Sequence, residues 1–195
     1  MDLASIMLTI FGYTIVFLTV FYAKKKNKNI KSLKEKGFFV KILNYLPFIC
    51  ITPIFIYYIY EYINYKHFRL FILPFPLYLK IIGILILFIS LYLYTDSIII
   101  MRKNWTIGLE LRKKHHIIHD HAFKYIRHPI YAAWLGIIIS LIFIFSSFLY
   151  LPSLIIVFLW YFYRAKLEES FLSTHLKGYK RYMQKTKKMF IPFIF

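Results

Sequence analysis

Apolar residues in this chain fall in long blocks instead of recurring along amphipathic elements. The first block covers residues 3 to 23 and is closed by Lys24, Lys25, Lys26 and Lys28. A bilayer core of ~30 Å needs about 20 such residues in a helix that rises ~1.5 Å per residue. The pattern therefore predicts spans at 3–23, at about 42–60 and at about 77–100, the second holding Pro47 and Pro53. Residues 130 to 162 are then apolar for 33 positions, apart from Ser140, Ser146, Ser147 and Ser153. That run is too long for one upright helix and too short for two full spans with a loop. It predicts two tilted or short helices that turn near Ser146–Pro152.

The fold class expected is all-α: a polytopic helical membrane protein of about five transmembrane helices, ending in a tilted helical hairpin at 129–163. One domain, 1–195, is expected, with three N-terminal spans in 1–100 and the chemistry in 101–195.

Composition agrees with this pattern. Of 195 residues, 60% are hydrophobic, 22% aromatic and only 17% charged, too few to cover a water-exposed surface. The single Cys50 excludes an internal disulfide. Asp2 precedes the first apolar run and no small-residue cleavage site follows it, so a retained first span is expected, not a cleaved signal.

The net charge of +18 would point to nucleic acid in a soluble domain. Here the cations sit between apolar blocks, which reads as topology. Residues 24–41 carry eight Lys against Glu35, and 101–127 carry seven Lys or Arg, whereas 61–76 is nearly neutral. Basic connections 24–41, 101–127 and 164–195 on the cytoplasmic side, with 61–76 outside, require an N-terminus outside.

Four groups of residues could carry chemistry. Arg127-His128-Pro129-Ile130-Tyr131 stands at the entry to the fourth span, where Pro129 suits a first helical turn. As an interfacial anchor, its basic residues would snorkel and Tyr131 would join the aromatic belt. Arg164 and Glu168 are spaced i,i+4 and can pair on one helix face, with Glu169 beside them. A guanidinium and a carboxylate held together could bind an amino-acid-like zwitterion, or an acidic substrate beside a cationic cofactor; a salt-bridged helix end is the plainer alternative. His115, His116, His119 and His121 make a metal site a rival reading, although no Cys lies near and Glu110 and Asp120 are the only acids there. Asp96, inside the third span, is a functional candidate by location, though it lies only six residues from Arg102 and could reach the interface.

In order and spacing these residues resemble the isoprenylcysteine carboxyl methyltransferases, with their relatives the phospholipid methyltransferases. The resemblance rests on Asn104-Trp105-Thr106, Glu110, His115-His116-Ile117-Ile118, Arg127 to Tyr131, Arg164, Glu168-Glu169, Tyr179 to Tyr182, Thr186 and Ile191-Pro192. It covers 101–195, and the basic first connection and two early spans also resemble short prokaryotic members.

The resemblance implies a methyltransferase dependent on S-adenosyl-L-methionine, its cofactor pocket cytosolic and closed by the C-terminal segment. The implied cofactor-binding residues are Glu110, His115, Ile117, Ile118, Phe123, His128, Pro129, Tyr131 and Glu168. Arg164 is implied as the catalytic and substrate-binding residue, and no metal is implied. The implied partner is a lipid-soluble methyl acceptor entering from the bilayer, such as an isoprenylcysteine-like acid or a phospholipid amine.

Two departures stand out. The family's Thr-x-Gly-x-Tyr stretch reads His119-Asp120-His121-Ala122-Phe123, and its Phe-Gly-x-x-Tyr is compressed to Gly178-Tyr179. A related fold carries NADPH-dependent sterol reductases, whose Arg-His-Pro-Asn-Tyr entry differs here at Ile130. That reading and a non-enzymatic membrane protein are the remaining alternatives.

Overall fold

The structure, a computed structural model, describes residues 3–26, 32–34, 46–63, 76–101, 104, 110–112 and 116–190. Helix α1 (Leu3–Lys26) leads to strand β1 (Ser32–Lys34), helix α2 (Leu46–Ile63) and helix α3 (Pro76–Met101). Strand β2 (Glu110–Arg112) follows, then a 3-10 turn at His121–Lys124 and helix α4 (Pro129–Ile144). A second 3-10 turn at Phe148–Tyr150 leads into helix α5 (Leu151–His175) and the short α6 (Tyr179–Lys185). The architecture is helical and polytopic, as the apolar blocks imply.

Leu3–Tyr22, Leu77–Met101 and Phe148–His175 are long and apolar enough to cross a bilayer. They also turn large apolar side chains outward, among them Phe17, Phe21, Ile89, Tyr92 and Ile155. Water would penalise such a surface, whereas lipid tails match it. The apolar run at 130–162 resolves into α4 and α5, joined by a turn at 145–150. Ser146 takes φ 47° there, and the Ser147 side chain accepts from the Leu149 N–H. With 16 residues, α4 reaches only about 24 Å and falls short of a bilayer core. α5 runs 13 residues beyond Phe162 to His175, so Arg164, Glu168 and Glu169 sit on the same continuous helix as the apolar run.

α3 and α4 make the broadest helix contact. A Cβ added to Gly83 would lie 2.8 Å from the Ile144 backbone nitrogen, and one at Gly136 would collide with Ser90 Oγ. α5 packs on α4 and α2, with Tyr150, Val157 and Ala165 fully enclosed. Pro53 lies inside α2; it cannot donate to the carbonyl four residues back, which leaves that stretch of backbone short of a partner. Next to that carbonyl, Ser153 Oγ of α5 donates to the Cys50 carbonyl at 3.3 Å, as buried backbone in a membrane requires.

The basic connection after α1 is not wholly irregular. β1 pairs antiparallel with β2, Ser32 opposite Arg112 and Lys34 opposite Glu110. This short ladder adds to the helical plan and ties the first connection to the one following α3.

Candidate functional site

Pro129 opens α4 at its first turn, where its missing N–H costs no hydrogen bond. That fixes the two residues before it, Arg127 and His128, against the far half of α5. The α4–α5 hairpin returns the chain so that His128 and Tyr131 meet Arg164, Glu168 and Glu169. All four of the sequence candidates His128, Tyr131, Arg164 and Glu168 therefore converge.

Their geometry is a charged network in a buried place. The Tyr131 hydroxyl donates to Glu168 Oε1 at 2.6 Å, and Arg164 Nε donates to the Tyr131 oxygen at 3.0 Å. Arg164 Nε also stands 3.4 Å from Glu168 Oε1, the i,i+4 pair anticipated from spacing. His128 faces both carboxylates, with Nε2 3.1 Å from Glu169 Oε1 and Nδ1 3.5 Å from Glu168 Oε2. Arg127 Nε donates to the same Glu169 oxygen at 2.6 Å. The Arg164 side chain is 5% exposed, whereas that of Glu168 keeps 22%, so Glu168 is the more open side chain of the pair.

Both ring nitrogens of His128 can donate to carboxylates only in the imidazolium form. Burial alone would lower its pKa, but hydrogen bonds and charge from Glu168 and Glu169 outweigh burial and raise it above 6.5. Aromatic rings frame the network: Tyr131 stacks on Tyr161 at 4.4 Å between centroids and on His128 at 5.5 Å. Phe190 packs against His128, Tyr131 and Phe158.

The C-terminal strap, residues 186–190, is fastened over this network through backbone. The Arg127 N–H donates to the Lys188 carbonyl and the His128 N–H to that of Met189, both at 3.0 Å. The Arg127 guanidinium donates to the carbonyls of Thr186 and Lys187 at 2.8 and 2.6 Å. Below the strap, Tyr182 Oη donates to the Phe123 carbonyl at 2.8 Å and Thr186 Oγ1 to that of Lys124 at 3.3 Å. Burial pushes the Tyr182 phenol up to about 12, so it stays a donor in any physiological buffer.

The remaining candidates lie apart from the carboxylates. Pro129 is enclosed at the head of α4. Phe123 is buried beneath α6, and Ile117 is a half-buried neighbour of Gly178, at the start of α6. Ile118 is half-buried, and its neighbour His116 accepts through its carbonyl from Asn104 Nδ2 at 2.9 Å. Glu110 is described only as a residue of β2, and His115 lies outside the described residues. Asp96 pairs with His121 at 3.2 Å and takes no part in the network. Among the described residues, no group of three His, Cys, Asp or Glu has the arrangement of a metal site.

Sequence reasoning named Glu169 beside Arg164 and Glu168, two adjacent acids in a chain with only eight, but gave it no role. It passed over Tyr161 and Phe190 as parts of the site.

No curated protein matches the chain. Residues 81–174 match the family model described as "Isoprenylcysteine carboxyl methyltransferase (ICMT) family". That stretch holds α3 from residue 81 onward, α4, and α5 up to residue 174, together with Arg127, His128, Tyr131, Arg164, Glu168 and Glu169. The membrane core that carries the network is thus similar to the isoprenylcysteine carboxyl methyltransferase family over 94 of the chain's 195 residues, a likeness that supports a membrane methyltransferase of that kind.

Proposed function

We propose that the chain uses S-adenosyl-L-methionine to methylate the carboxylate of a lipophilic, isoprenylcysteine-like acid. The observation that carries this reading is the Tyr131 hydroxyl joined to both Arg164 Nε and Glu168 Oε1. It sets an anion and a cation side by side at the end of an apolar hairpin.

The donor set suits the cofactor. A carboxylate on a part-exposed side chain, beside stacked aromatic rings, favours a sulfonium or ammonium cation through charge and ring quadrupoles. Glu168 and the Tyr131–Tyr161 stack would hold that end, with His128 fixing Glu168 from its other oxygen. Bound there, S-adenosyl-L-methionine would supply an activated methyl group.

This chain's residues then have three tasks. Arg164 orients an acceptor carboxylate toward the methyl, an alignment that carries much of the rate in such transfers. Phe190 and the strap exclude water from the methyl. The rings and the outward apolar faces of the hairpin receive the hydrophobic tail.

For topology, we place the strap and both basic connections in the cytoplasm and the N-terminus outside. The β1–β2 ladder supports this, because strands can pair only if residues 32–34 and 110–112 lie on one side of the membrane. The whole chain acts as one domain in this reading.

Calorimetry on the purified, monodisperse protein tests the proposal. S-adenosyl-L-methionine and its demethylated product should both bind, and Glu168→Gln should lose most of that affinity. Binding of NADPH with indifference to both would sink it in favour of a reductase. Arg164→Lys should keep cofactor affinity while turnover on lipophilic acids falls by about a hundredfold.

A further inference from the structure

After Glu169 the chain contains no acid, yet it carries Lys177, Lys180, Arg181, Lys185, Lys187 and Lys188. All are exposed except Lys188, which is half-buried. Among the described residues none of the six joins an ion pair. Their backbone is not a loose tail. In α6, Tyr179 and Tyr182 are buried, which turns Lys180, Arg181 and Lys185 to the opposite face. Lys187 sits in the strap that Arg127 holds by its carbonyls.

Two observations set this face at the membrane boundary. On α5 the exposed aromatic positions Phe162 and Tyr163 give way to Lys166, whose ammonium lies 5.6 Å over the Phe162 ring. Beside α6, Tyr125 is 58% exposed with the Lys124 ammonium over its ring at 5.7 Å, and the Lys124 backbone carbonyl accepts from Thr186 Oγ1. An exposed aromatic among unpaired cations is the composition of a headgroup-level surface.

We propose that anionic phospholipid headgroups dock on the face formed by Lys124, Lys180, Arg181, Lys185 and Lys187, and so hold the strap closed over His128 and Tyr131. Fixed cations with no acid among them repel one another, and headgroup phosphates relieve that repulsion only while the strap is in place. The methyl donor gains a covered site when the protein lies in a negatively charged leaflet. This inference stands whether or not the methyl acceptor is the one proposed above.

Strap closure can be read without any turnover, because the amides of Arg127 and His128 donate to Lys188 and Met189. Hydrogen exchange at those two amides would be followed for the full chain in nanodiscs. In discs containing roughly one-third phosphatidylglycerol, exchange should be about tenfold slower than in phosphatidylcholine alone. The difference should vanish in about 1 M salt, where charges are screened beyond ~3 Å.

The variant K180Q/R181Q/K185Q/K187Q should exchange at the faster rate in both lipids, whereas K24Q/K25Q/K26Q/K28Q should behave as the parent. Equal exchange of the parent chain in both discs would overturn the proposal, and that comparison needs no variant to fold. So would lipid dependence that survives in the first variant, or the same protection from inorganic phosphate in neutral discs.

Discussion

His121 reaches Asp96 Oδ1 at 3.2 Å from a backbone held at φ 52°. The left-handed region costs a side-chain-bearing residue on the order of 1 kcal/mol, and glycine almost nothing. His121 stands at the glycine position of the resembled Thr-x-Gly-x-Tyr stretch, and a left-handed backbone is one that glycine adopts without strain. Its ring, half-exposed, recovers part of the cost by pairing with the acid at the end of α3. His121→Gly should therefore melt within a few degrees of the parent, while His121→Val should lose roughly 1–2 kcal/mol. Asp96→Asn should matter less in the glycine background than in the parent. Thermal melts of the parent and the four variants in one detergent decide the matter, and a well-tolerated valine would contradict the strain.

Tyr131 is the hinge between opposite charges. Tyr131→Phe keeps the stack on Tyr161 but removes the hydroxyl that satisfies Arg164 and Glu168 together. Arg164 and Glu168 keep each other as partners, but losing a hydrogen bond to a charged group costs about 1.5–3 kcal/mol. We expect a lower melting temperature and about tenfold weaker S-adenosyl-L-methionine binding by calorimetry. If both values match the parent, the hydroxyl has no organising role.

Arg127 holds the strap at three carbonyls, through its backbone N–H and Nη1. Arg127→Met should leave α4 and α5 intact while the Thr186 and Lys187 carbonyls lose their donor. Trypsin cleavage after Lys187 and Lys188 should then accelerate about tenfold, because local opening governs access. Unchanged cleavage would mean that the backbone pairs at Arg127 and His128 suffice without the side chain.

His128 links stability to pH with a definite sign. Its pKa in the folded state lies above the usual 6.5. The stabilisation from binding that proton is therefore complete below about pH 6.5 and fades as pH rises through the raised folded value. Melting temperature should decline over that interval, and His128→Asn should flatten the decline. A parent curve that rises through the same window would show the imidazole to be neutral.

Hydropathy alone located α1, α3 and the α4–α5 hairpin, because run length reports bilayer thickness. It placed the second span at 42–60, whereas α2 is Leu46–Ile63. An apolar stretch and a hydrogen-bonded helix need not stop together, and α5 likewise continues to His175. Pro129 and the i,i+4 spacing of Arg164 and Glu168 were readable because they follow local helix geometry. The fastening of Arg127 to residues 186–188 was not, since pairing across some 60 positions leaves no periodic trace. Nor could spacing show that two adjacent carboxylates, Glu168 and Glu169, share one imidazole. That depends on where the hairpin delivers His128.

Gly83 and Gly136 zip α3 against α4 at two levels, one near Ile144 and one near Ser90. A methylene needs about 4 Å from its neighbours, and no gap of that width is left at these two contacts. A prenyl or acyl chain thus finds no passage between the two helices at either level. In the function proposed above, the pair of contacts acts as a wall, and a lipid tail would come to Arg164 along the flanks that α3 leaves open.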